Sequence, residues 1–301
     1  MISGINWCNT NTPDWSVAQY FNVFVVMSTV GAEVVDEIKR RYPNSLIIGR
    51  LFRGGDLPTP QDAVAEWAEY IDATKLILYQ VDNEPDINYP DVSALEYASW
   101  WIRVVTLLRK RLDAMWLFPM PSISGIDYIY DCQAAIITSD GVAERGYWQE
   151  EWQMEDWNWG RRYQRTRIMF PNKAIHLCEY GNSSDIDPMI KAQQYKKYLQ
   201  SLPTYIQSAH GFIMAGSTTD WQKFWITVEM AKEMAMTWKE QFPDEFNAWV
   251  AAGGDPEEAF EFYLLGLGYI TPSRQYLIDM ADNLMSHLEE LQAGIANLPL
   301  E

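Results

Sequence analysis

The feature that most constrains the fold is a regular alternation of short apolar runs with longer segments of helical periodicity. This alternation is typical of repeated βα units, in which parallel strands are joined by right-handed helical crossovers. Eight units of this kind can close into a barrel of roughly 250 residues. The sequence therefore predicts an α/β fold, a (β/α)₈ TIM barrel. The predicted strands cover residues 4–8, 23–27, 46–52, 76–81, 115–118, 141–148, 174–178 and 210–215.

The barrel leaves the end of the chain unused. We predict that residues 1–241 form the catalytic barrel and that residues 242–301 form a helical appendage packed on it. In the appendage, the segment 273–296 repeats apolar residues at spacings of three and four. Such a stripe fits packing against the barrel wall better than dimerisation. A homo-oligomer and a larger parent polypeptide both stay open as alternatives. Predicted helices cover 31–41, 62–73, 93–112, 128–137, 188–202 and 223–241, then 245–252, 256–265 and 273–296.

Charge and composition narrow the range of partners. The chain has 41 acidic and 23 basic residues and a formal net charge of −18, so a phosphate backbone would be repelled and nucleic acid is not expected. No apolar run reaches the roughly 18 residues of a membrane span, and no leader pattern begins the sequence. Membrane association is therefore not expected. The sequence does not determine the localisation, although it slightly favours the cytoplasm. Cys8, Cys132 and Cys178 lack metal-site spacing and are predicted as buried free thiols.

Two glutamates come directly after predicted strands. Glu84 follows the fourth apolar run and Glu179 follows the seventh. Because the active sites of such barrels lie at the carboxyl ends of the strands, both carboxyl groups are expected at one mouth. One protonated and one ionised carboxyl group are the minimum equipment for cleaving a glycosidic bond. The alternative for each glutamate taken alone is an ordinary turn or helix-capping residue.

The motifs around these glutamates carry a family resemblance. Asn-Glu-Pro at 83–85 and Cys-Glu-Tyr-Gly at 178–181 resemble the signature of the clan A glycoside hydrolases, and the resemblance covers roughly residues 1–225. It implies retaining cleavage of β-linked glycosides by double displacement. In that reaction Glu84 is the general acid/base, Glu179 is the nucleophile, and Asn83 binds a sugar hydroxyl group. The expected separation of the two carboxyl groups is roughly 5 to 5.5 Å.

A third segment supports the resemblance and also departs from it. Residues 140–148 resemble the sixth strand of these enzymes, with Tyr147 at the position of a tyrosine that hydrogen-bonds the nucleophile. Arg145, however, stands where many members have histidine. The second strand lacks the arginine often found near the nucleophile, and Arg50 or Arg53 could substitute for it. Arg53 and Tyr147 are also predicted to bind the substrate. These departures leave the family within the clan, and therefore the sugar, undetermined.

Aromatic residues suit an uncharged sugar substrate. The chain contains 14 tryptophans, whose planes can stack on the apolar faces of sugar rings or simply fill the core. The long loop 149–159 is a candidate functional loop because loops of this length in compact domains are usually functional. Strand eight has Gly-Ser-Thr at 216–218 where many members carry tryptophan. The tryptophans predicted to wall the sugar subsites are Trp148, Trp152, Trp157, Trp159 and Trp221.

The same barrel could also support functions other than glycoside hydrolysis. A non-catalytic carbohydrate-binding barrel would not need both glutamates, whereas a catalytic module of a larger cell-wall lytic protein would. Metal-dependent hydrolases and phosphate-binding lyases usually show His/Asp clusters or a glycine-rich phosphate loop, and neither pattern is evident. His176 lies in an apolar run and is predicted to be a core residue. No metal or other cofactor is therefore expected, and the predicted partner is an oligosaccharide or polysaccharide substrate.

Overall fold

Eight parallel strands form a closed barrel. The structure is a computed structural model that describes residues 2–7, 14–122, 126–213 and 219–235. Each strand pairs with the next in sequence, and the eighth pairs with the first. The predicted (β/α)₈ architecture is therefore confirmed. The strands are β1 Ile2–Trp7, β2 Val23–Met27, β3 Leu46–Leu51, β4 Leu78–Val81, β5 Met115–Pro119, β6 Gly141–Trp148, β7 Ala174–Asn182 and β8 Ile206–Gly211.

The predicted strand bounds are wrong at the last two strands. β7 continues to Asn182, so that Glu179 lies inside the strand and not beyond its end. β8 begins at Ile206, four residues before the predicted start at His210. Its first half contains Gln207 and Ser208, and these polar residues break the apolar run by which a buried strand is recognised.

Helices surround the barrel between the strands. Residues 128–137, predicted as one helix, form parts of two short helices on either side of Cys132. No helix in the described ranges has the length and apolarity to cross a membrane. The α-helices are α1 Trp15–Ala18, α2 Ala32–Arg41, α3 Pro60–Thr74, α4 Pro85–Asn88, α5 Ala94–Arg109, α6 Ile126–Asp131, α7 Gln133–Thr138, α8 Tyr163–Met169, α9 Pro188–Ser201 and α10 Val228–Met234, with 3₁₀ helices at Ser28–Val30, Glu151–Glu155 and Thr219–Phe224.

Several of these helices start at residues that satisfy their free amide groups. Thr59 accepts a hydrogen bond from the amide of Asp62 at the start of α3, which has proline in its first turn. Ser93 and Glu96 form a reciprocal capping box at the start of α5. These local signals place α3 and α5 within a few residues of their predicted bounds.

Some predictions fall on residues that the structure does not describe. The appendage 242–301 and its three helices lie outside the described ranges, as do Cys8 and residues 236–241 of the predicted eighth barrel helix. All the described elements belong to the compact unit Met1–Met236. The division of the chain at residue 241 therefore stays a prediction.

The inside of the barrel is closed by an apolar layer. Six strands each contribute one buried side chain to a single cluster. This cluster is separate from the larger core in which the outer faces of the strands contact the helices. Such layers of side chains fill barrels of this kind, so the interior is packed and is not a channel. The residues of this apolar layer are Val25, Ile48, Leu78, Leu117, Ala143 and Cys178.

Two buried histidines share this interior. His176 lies two residues before Cys178 on β7, and therefore on the same face of the strand. Its Nδ1 atom lies 2.8 Å from the Ser208 hydroxyl oxygen. His210 is fully buried on β8 and has no hydrogen-bond partner among the described residues. Burial lowers the pKa of His176 to about 4 and that of His210 well below its ordinary value.

The lowered pKa of His176 predicts loss of stability in acid. In the unfolded chain His176 is protonated below about pH 6.5, whereas in the folded chain it is protonated only below about pH 4. This stabilisation is therefore complete above pH 6.5 and is lost as the pH falls toward 4, by about 3 kcal/mol from this group. Denaturant unfolding at pH 7 and pH 4.5 should show a smaller difference for His176→Asn than for the wild type. Ser208→Ala, which removes the hydrogen bond but no titrating group, should keep the wild-type difference. Identical pH dependence in His176→Asn and the wild type would contradict the prediction.

Candidate active site

The side chain of Glu179 is directed into the barrel by an irregularity in β7. The pairing of β6 with β7 shifts between Glu144 and Arg145, so that Leu177 faces Glu144 but Glu179 faces Arg145. An extra residue of this kind re-aims the side chains that follow it. As a result both Cys178 and Glu179 point inward, although adjacent residues of a regular strand point to opposite faces.

Glu179 lies among two arginines and a tyrosine. Its Oε1 atom forms an ion pair with Arg50, and its Oε2 atom lies 3.2 Å from the Nε atom of Arg145. The hydroxyl group of Tyr147 donates to Oε2 at 2.9 Å, which confirms the predicted contact. Burial alone would raise the pKa of Glu179, but the two guanidinium groups and the tyrosine hydrogen bond outweigh it. The pKa is lowered, and Glu179 is held ionised.

Arg50, on β3, is the arginine that contacts Glu179. Its Nε atom donates to the Gln80 side chain at 3.1 Å, and the residue is 1% exposed. Arg53, the other candidate and a predicted substrate-binding residue, lies beyond the end of β3. It forms an ion pair with Glu66 at 2.8 Å on the surface. Of the two candidates, the structure therefore places only Arg50 against Glu179.

Arg145 connects the two candidate catalytic glutamates. Its Nε atom lies 3.4 Å from Oε1 of Glu84 and 3.2 Å from Oε2 of Glu179. It also donates through Nη1 to the carbonyl of Met120 at 2.6 Å and through Nη2 to the side chain of Asn83. The sequence showed Arg145 only as a departure from the family pattern. Its spacing of two from Tyr147 places both on one face of β6 and was the signal that could have found it.

Glu84 stands on a tight turn after β4. Both Asp82 (φ 71°) and Glu84 (φ 35°) have left-handed backbone conformations, which side-chain-bearing residues adopt rarely and often at functional sites. The Glu84 side chain is 22% exposed, so it reaches solvent while Glu179 does not. Asn83 donates to Oε2 of Glu84 at 3.3 Å. The predicted pair Asn83–Glu84 therefore lies at the mouth, above Glu179.

Asp82 anchors this turn from below. It is fully buried, and its Oδ1 atom accepts from the amide of Asn83 at 2.8 Å. Its Oδ2 atom accepts from the hydroxyl group of Tyr97 on α5 at 3.3 Å. Burial raises the pKa of Asp82 to about 7. Sequence analysis did not single out this residue, because an aspartate before a turn is ordinary.

The predicted tryptophan walls separate into two groups. Trp148 is completely buried; it contacts Tyr180, Tyr195 and Tyr198, and its Nε1 atom donates to Gln194 at 3.1 Å. It cannot face a sugar, because it follows Tyr147 on β6 and points to the opposite side of the strand.

The other tryptophans have different surroundings. Trp152, Trp157 and Trp159 are 63%, 48% and 40% exposed in the loop after β6. Trp221 lies in the 3₁₀ helix Thr219–Phe224, and its side chain is outside the described part of the structure. Within the described ranges, no three histidine, cysteine, aspartate or glutamate side chains are grouped to hold a metal ion.

Comparison with solved structures finds the same barrel fold in several glycoside hydrolases. A GH128 (subgroup II) endo-β-1,3-glucanase from Sorangium cellulosum superposes with a TM-score of 0.56 at 15% identity, over 79% of this chain and 100% of the glucanase. A GH128 (subgroup VI) exo-β-1,3-glucanase from Aureobasidium namibiae gives 0.57 at 19% identity, over 78% and 96%. Active domain 2 of a thermostable chitinase from Pyrococcus furiosus gives 0.50 at 13% identity, over 81% and 95%.

These likenesses establish the fold that the sequence resemblance implied. No protein-family model and no curated protein matches the sequence.

Proposed function

We propose that this protein is a retaining glycoside hydrolase that cleaves β-linked glycosides by double displacement. The observation that carries the proposal is the contact of one guanidinium nitrogen, Nε of Arg145, with both Glu84 and Glu179. It brings together two carboxyl groups that lie 95 positions apart in the sequence, one on the turn after β4 and the other within β7.

The separation of the carboxyl groups favours retention. The distance between two atoms cannot exceed the sum of their distances to a third atom. At 3.4 and 3.2 Å from one nitrogen, the oxygens of Glu84 and Glu179 are therefore no further apart than about 6.6 Å. Inverting enzymes need about 6.5 to 9.5 Å to admit a water molecule, whereas retaining enzymes have about 5 to 5.5 Å. This limit supports direct attack by a carboxylate.

The two environments suit two different roles. Glu179 is buried, ionised and fixed by Arg50, Arg145 and Tyr147, as a nucleophile must be. It attacks the anomeric carbon, and the bond to the leaving oxygen breaks. Glu84 is partly exposed and donates its proton to that oxygen; it then removes a proton from the water that hydrolyses the glycosyl-enzyme. As sugar enters, Asn83 is placed to bind a hydroxyl group close to Glu84.

We propose a neutral β-linked glucan as the substrate. The solved structures of similar fold include endo- and exo-β-1,3-glucanases, and one glycoside hydrolase complex contains cellotriose. The formal charge of −18 disfavours a polyanionic glycan. Neither the linkage nor endo or exo action follows from the described site.

The stereochemistry of the first product tests the proposal. A panel of aryl β-glycosides would identify a cleaved sugar, and proton NMR would then show which anomer forms first. Release of the β-anomer is expected. First release of the α-anomer would overturn the retaining assignment. Absence of cleavage across aryl glycosides and soluble and insoluble β-glucans would instead favour a carbohydrate-binding barrel without catalysis.

The hydrogen bond from Tyr147 predicts a selective loss of activity in acid. Tyr147→Phe removes a bond to an ionised carboxylate, worth about 1.5–3 kcal/mol, so kcat/KM should fall roughly 10- to 100-fold. The lost hydrogen bond should also raise the pKa of Glu179, so the acidic limb of the pH–rate profile should move to higher pH.

A matched control is available on the next strand. The hydroxyl group of Tyr180 is buried on β7 and has no hydrogen-bond partner in the part of the chain that the structure describes. Tyr180→Phe should therefore leave both kcat/KM and the pH profile close to those of the wild type. Equal effects of Tyr147→Phe and Tyr180→Phe would show that Tyr147 acts only through packing.

A further inference from the structure

The loop that follows β6 has a fixed backbone. We call residues 149–162 the tryptophan loop. At its start, the side-chain oxygen of Gln153 accepts from the amides of Gln149 and Glu150 at 2.8 and 3.0 Å. Its carbonyl accepts from the amide of Gly160 at 3.0 Å, and the Gln153 side chain is buried. The two ends of the loop are therefore connected through one residue.

Further contacts hold the far end of the loop against the barrel. Arg161 donates to Tyr163 at 2.6 Å, to the carbonyl of Ser201 at 2.9 Å and to Glu155 at 2.9 Å. Gly160 lies so close to the backbone of Met154 that a Cβ atom would be 2.2 Å from the Met154 carbonyl oxygen. The backbone of the tryptophan loop is thus defined by internal hydrogen bonds and close packing.

This fixed backbone holds three indole side chains in solvent. Trp152, Trp157 and Trp159 are 63%, 48% and 40% exposed within eight residues of sequence, while Met154 between them is buried. Exposed apolar area is unfavourable in water, and clustered exposed aromatic residues commonly mark a binding surface. Because Met154 of the same loop is buried, apolar side chains of this loop can reach the protein core. The exposure of the three tryptophans therefore needs another explanation.

The charges around these tryptophans restrict the ligand. Glu150, Glu151 and Glu155 are exposed and Asp156 is half-buried, and these four acidic residues outnumber Arg161 and Arg162 in the loop. Lys197 of α9 forms an ion pair with Glu151 at 2.8 Å. The remaining net negative charge disfavours anionic polymers and anionic membranes. The guanidinium group of Arg161 forms an ion pair with Glu155. Uncharged sugar rings, with apolar faces and hydroxyl groups at their edges, fit both the indole planes and the acidic acceptors.

We propose that the tryptophan loop is a binding platform for a neutral polysaccharide chain, which it holds beside the two glutamates. The proposal rests on the proposed function for the reaction and adds a second contact area. Continuity along the chain supports it: β6 brings Arg145 and Tyr147 to Glu179 and then leads directly into the loop. A polymer can engage both areas, whereas a short glycoside reaches only the glutamates.

Binding to insoluble glucan tests the platform without requiring cleavage. The triple change Trp152→Ala, Trp157→Ala and Trp159→Ala is made in the Glu179→Ala chain, and its adsorption to insoluble β-1,3-glucan and to cellulose is measured. Adsorption to at least one of them should weaken at least tenfold. Tyr130→Ala is the matched control, because Tyr130 is an aromatic residue of α6 that is 52% exposed elsewhere. Its adsorption should match that of the parent chain.

Kinetics give a second measurement. In the chain with Glu179 intact, the triple change should lower kcat/KM on polymer at least ten times more than kcat/KM on an aryl glycoside. An unchanged melting temperature would exclude misfolding. Unchanged adsorption of the triple variant to both polymers would contradict the proposed platform. A shift of the triple variant to a smaller oligomer would also contradict it, because the tryptophans would then belong to a protein interface.

The two proposals fail separately. Aryl glycoside cleavage with tryptophan-independent adsorption would remove the platform and leave the glycosidase. Tryptophan-dependent adsorption by a chain that cleaves no glycoside would remove the glycosidase and leave a polysaccharide-binding surface.

Discussion

Glu179→Ala is expected to abolish cleavage of both natural and activated glycosides. The variant lacks the carboxylate that forms the covalent intermediate, so a better leaving group cannot restore the first step. Loss of a covalent nucleophile reduces kcat on the order of 10⁶-fold in a well-studied hydrolase, and a loss on that scale is expected here. Initial rates with a 2,4-dinitrophenyl glycoside and with a β-glucan would measure it.

Azide provides the positive control for Glu179→Ala. The shorter side chain leaves space for a small anion between Arg50, Arg145 and Tyr147, all of which contact the carboxylate in the wild type. Azide should restore turnover of the activated substrate and give a glycosyl azide of inverted configuration. Recovery of a product with retained configuration would contradict the assignment of Glu179 as the nucleophile.

Stability must be followed in the same variant. Removing one partner of a buried ion pair costs about 3–5 kcal/mol, because the remaining charges are left without compensation. Glu179→Gln keeps the shape of the side chain and should unfold less readily than Glu179→Ala, yet it should be equally inactive. Activity in Glu179→Gln approaching that of the wild type would show that no nucleophile is needed at this position.

Glu84→Ala should separate the two steps of the reaction. A natural glycoside needs its leaving oxygen protonated, so kcat/KM should fall roughly 10² to 10⁴-fold. A dinitrophenyl leaving group needs no proton, so a burst of dinitrophenol should precede a slow steady state. Water then lacks its base, and the glycosyl-enzyme should accumulate as an added sugar mass in intact-protein mass spectrometry.

A nearby residue controls for the loss of charge at the mouth. Asp86 lies two positions away on α4, where its Oδ1 atom accepts from the amide of Ser122 at 2.7 Å. Asp86→Asn should not produce a burst or an accumulated intermediate. If Glu84→Ala instead lowered the rates on natural and activated substrates equally, Glu84 would not be the acid/base.

Much of the barrel could be predicted because each strand carries its own signal. The bounds of β2 and β6 match the prediction residue for residue. β8 was misplaced because its inward face is polar, with Ser208 and His210 where an apolar run was expected. The interior of this barrel mixes polar and apolar layers, and a rule based on hydrophobicity alone cannot find a strand that contributes mainly to a polar layer.

Residues whose place in the candidate site follows from their position after a strand could be predicted from the sequence. Residues whose place depends on the direction of the side chain could not. Tyr147 and Trp148 were both assigned to the sugar site, although neighbours in a regularly paired part of a strand point to opposite faces. The same alternation would have selected Arg145 together with Tyr147. The inward turn of Glu179 depends on the shift in pairing between β6 and β7, which depends on both strands and leaves no mark in either sequence alone.

The apolar layer below the glutamates closes the barrel interior on one side of the candidate active site. Val25, Ile48, Leu78 and the other members of this layer are at most 1% exposed. In the described part of the chain, this layer leaves water and ions no route to Glu179 through the barrel interior. In the proposed reaction, a released sugar would therefore leave by the opening through which the next substrate arrives. Product release and substrate binding would then use the same opening, so the departing product and the incoming glycan would compete for the same space.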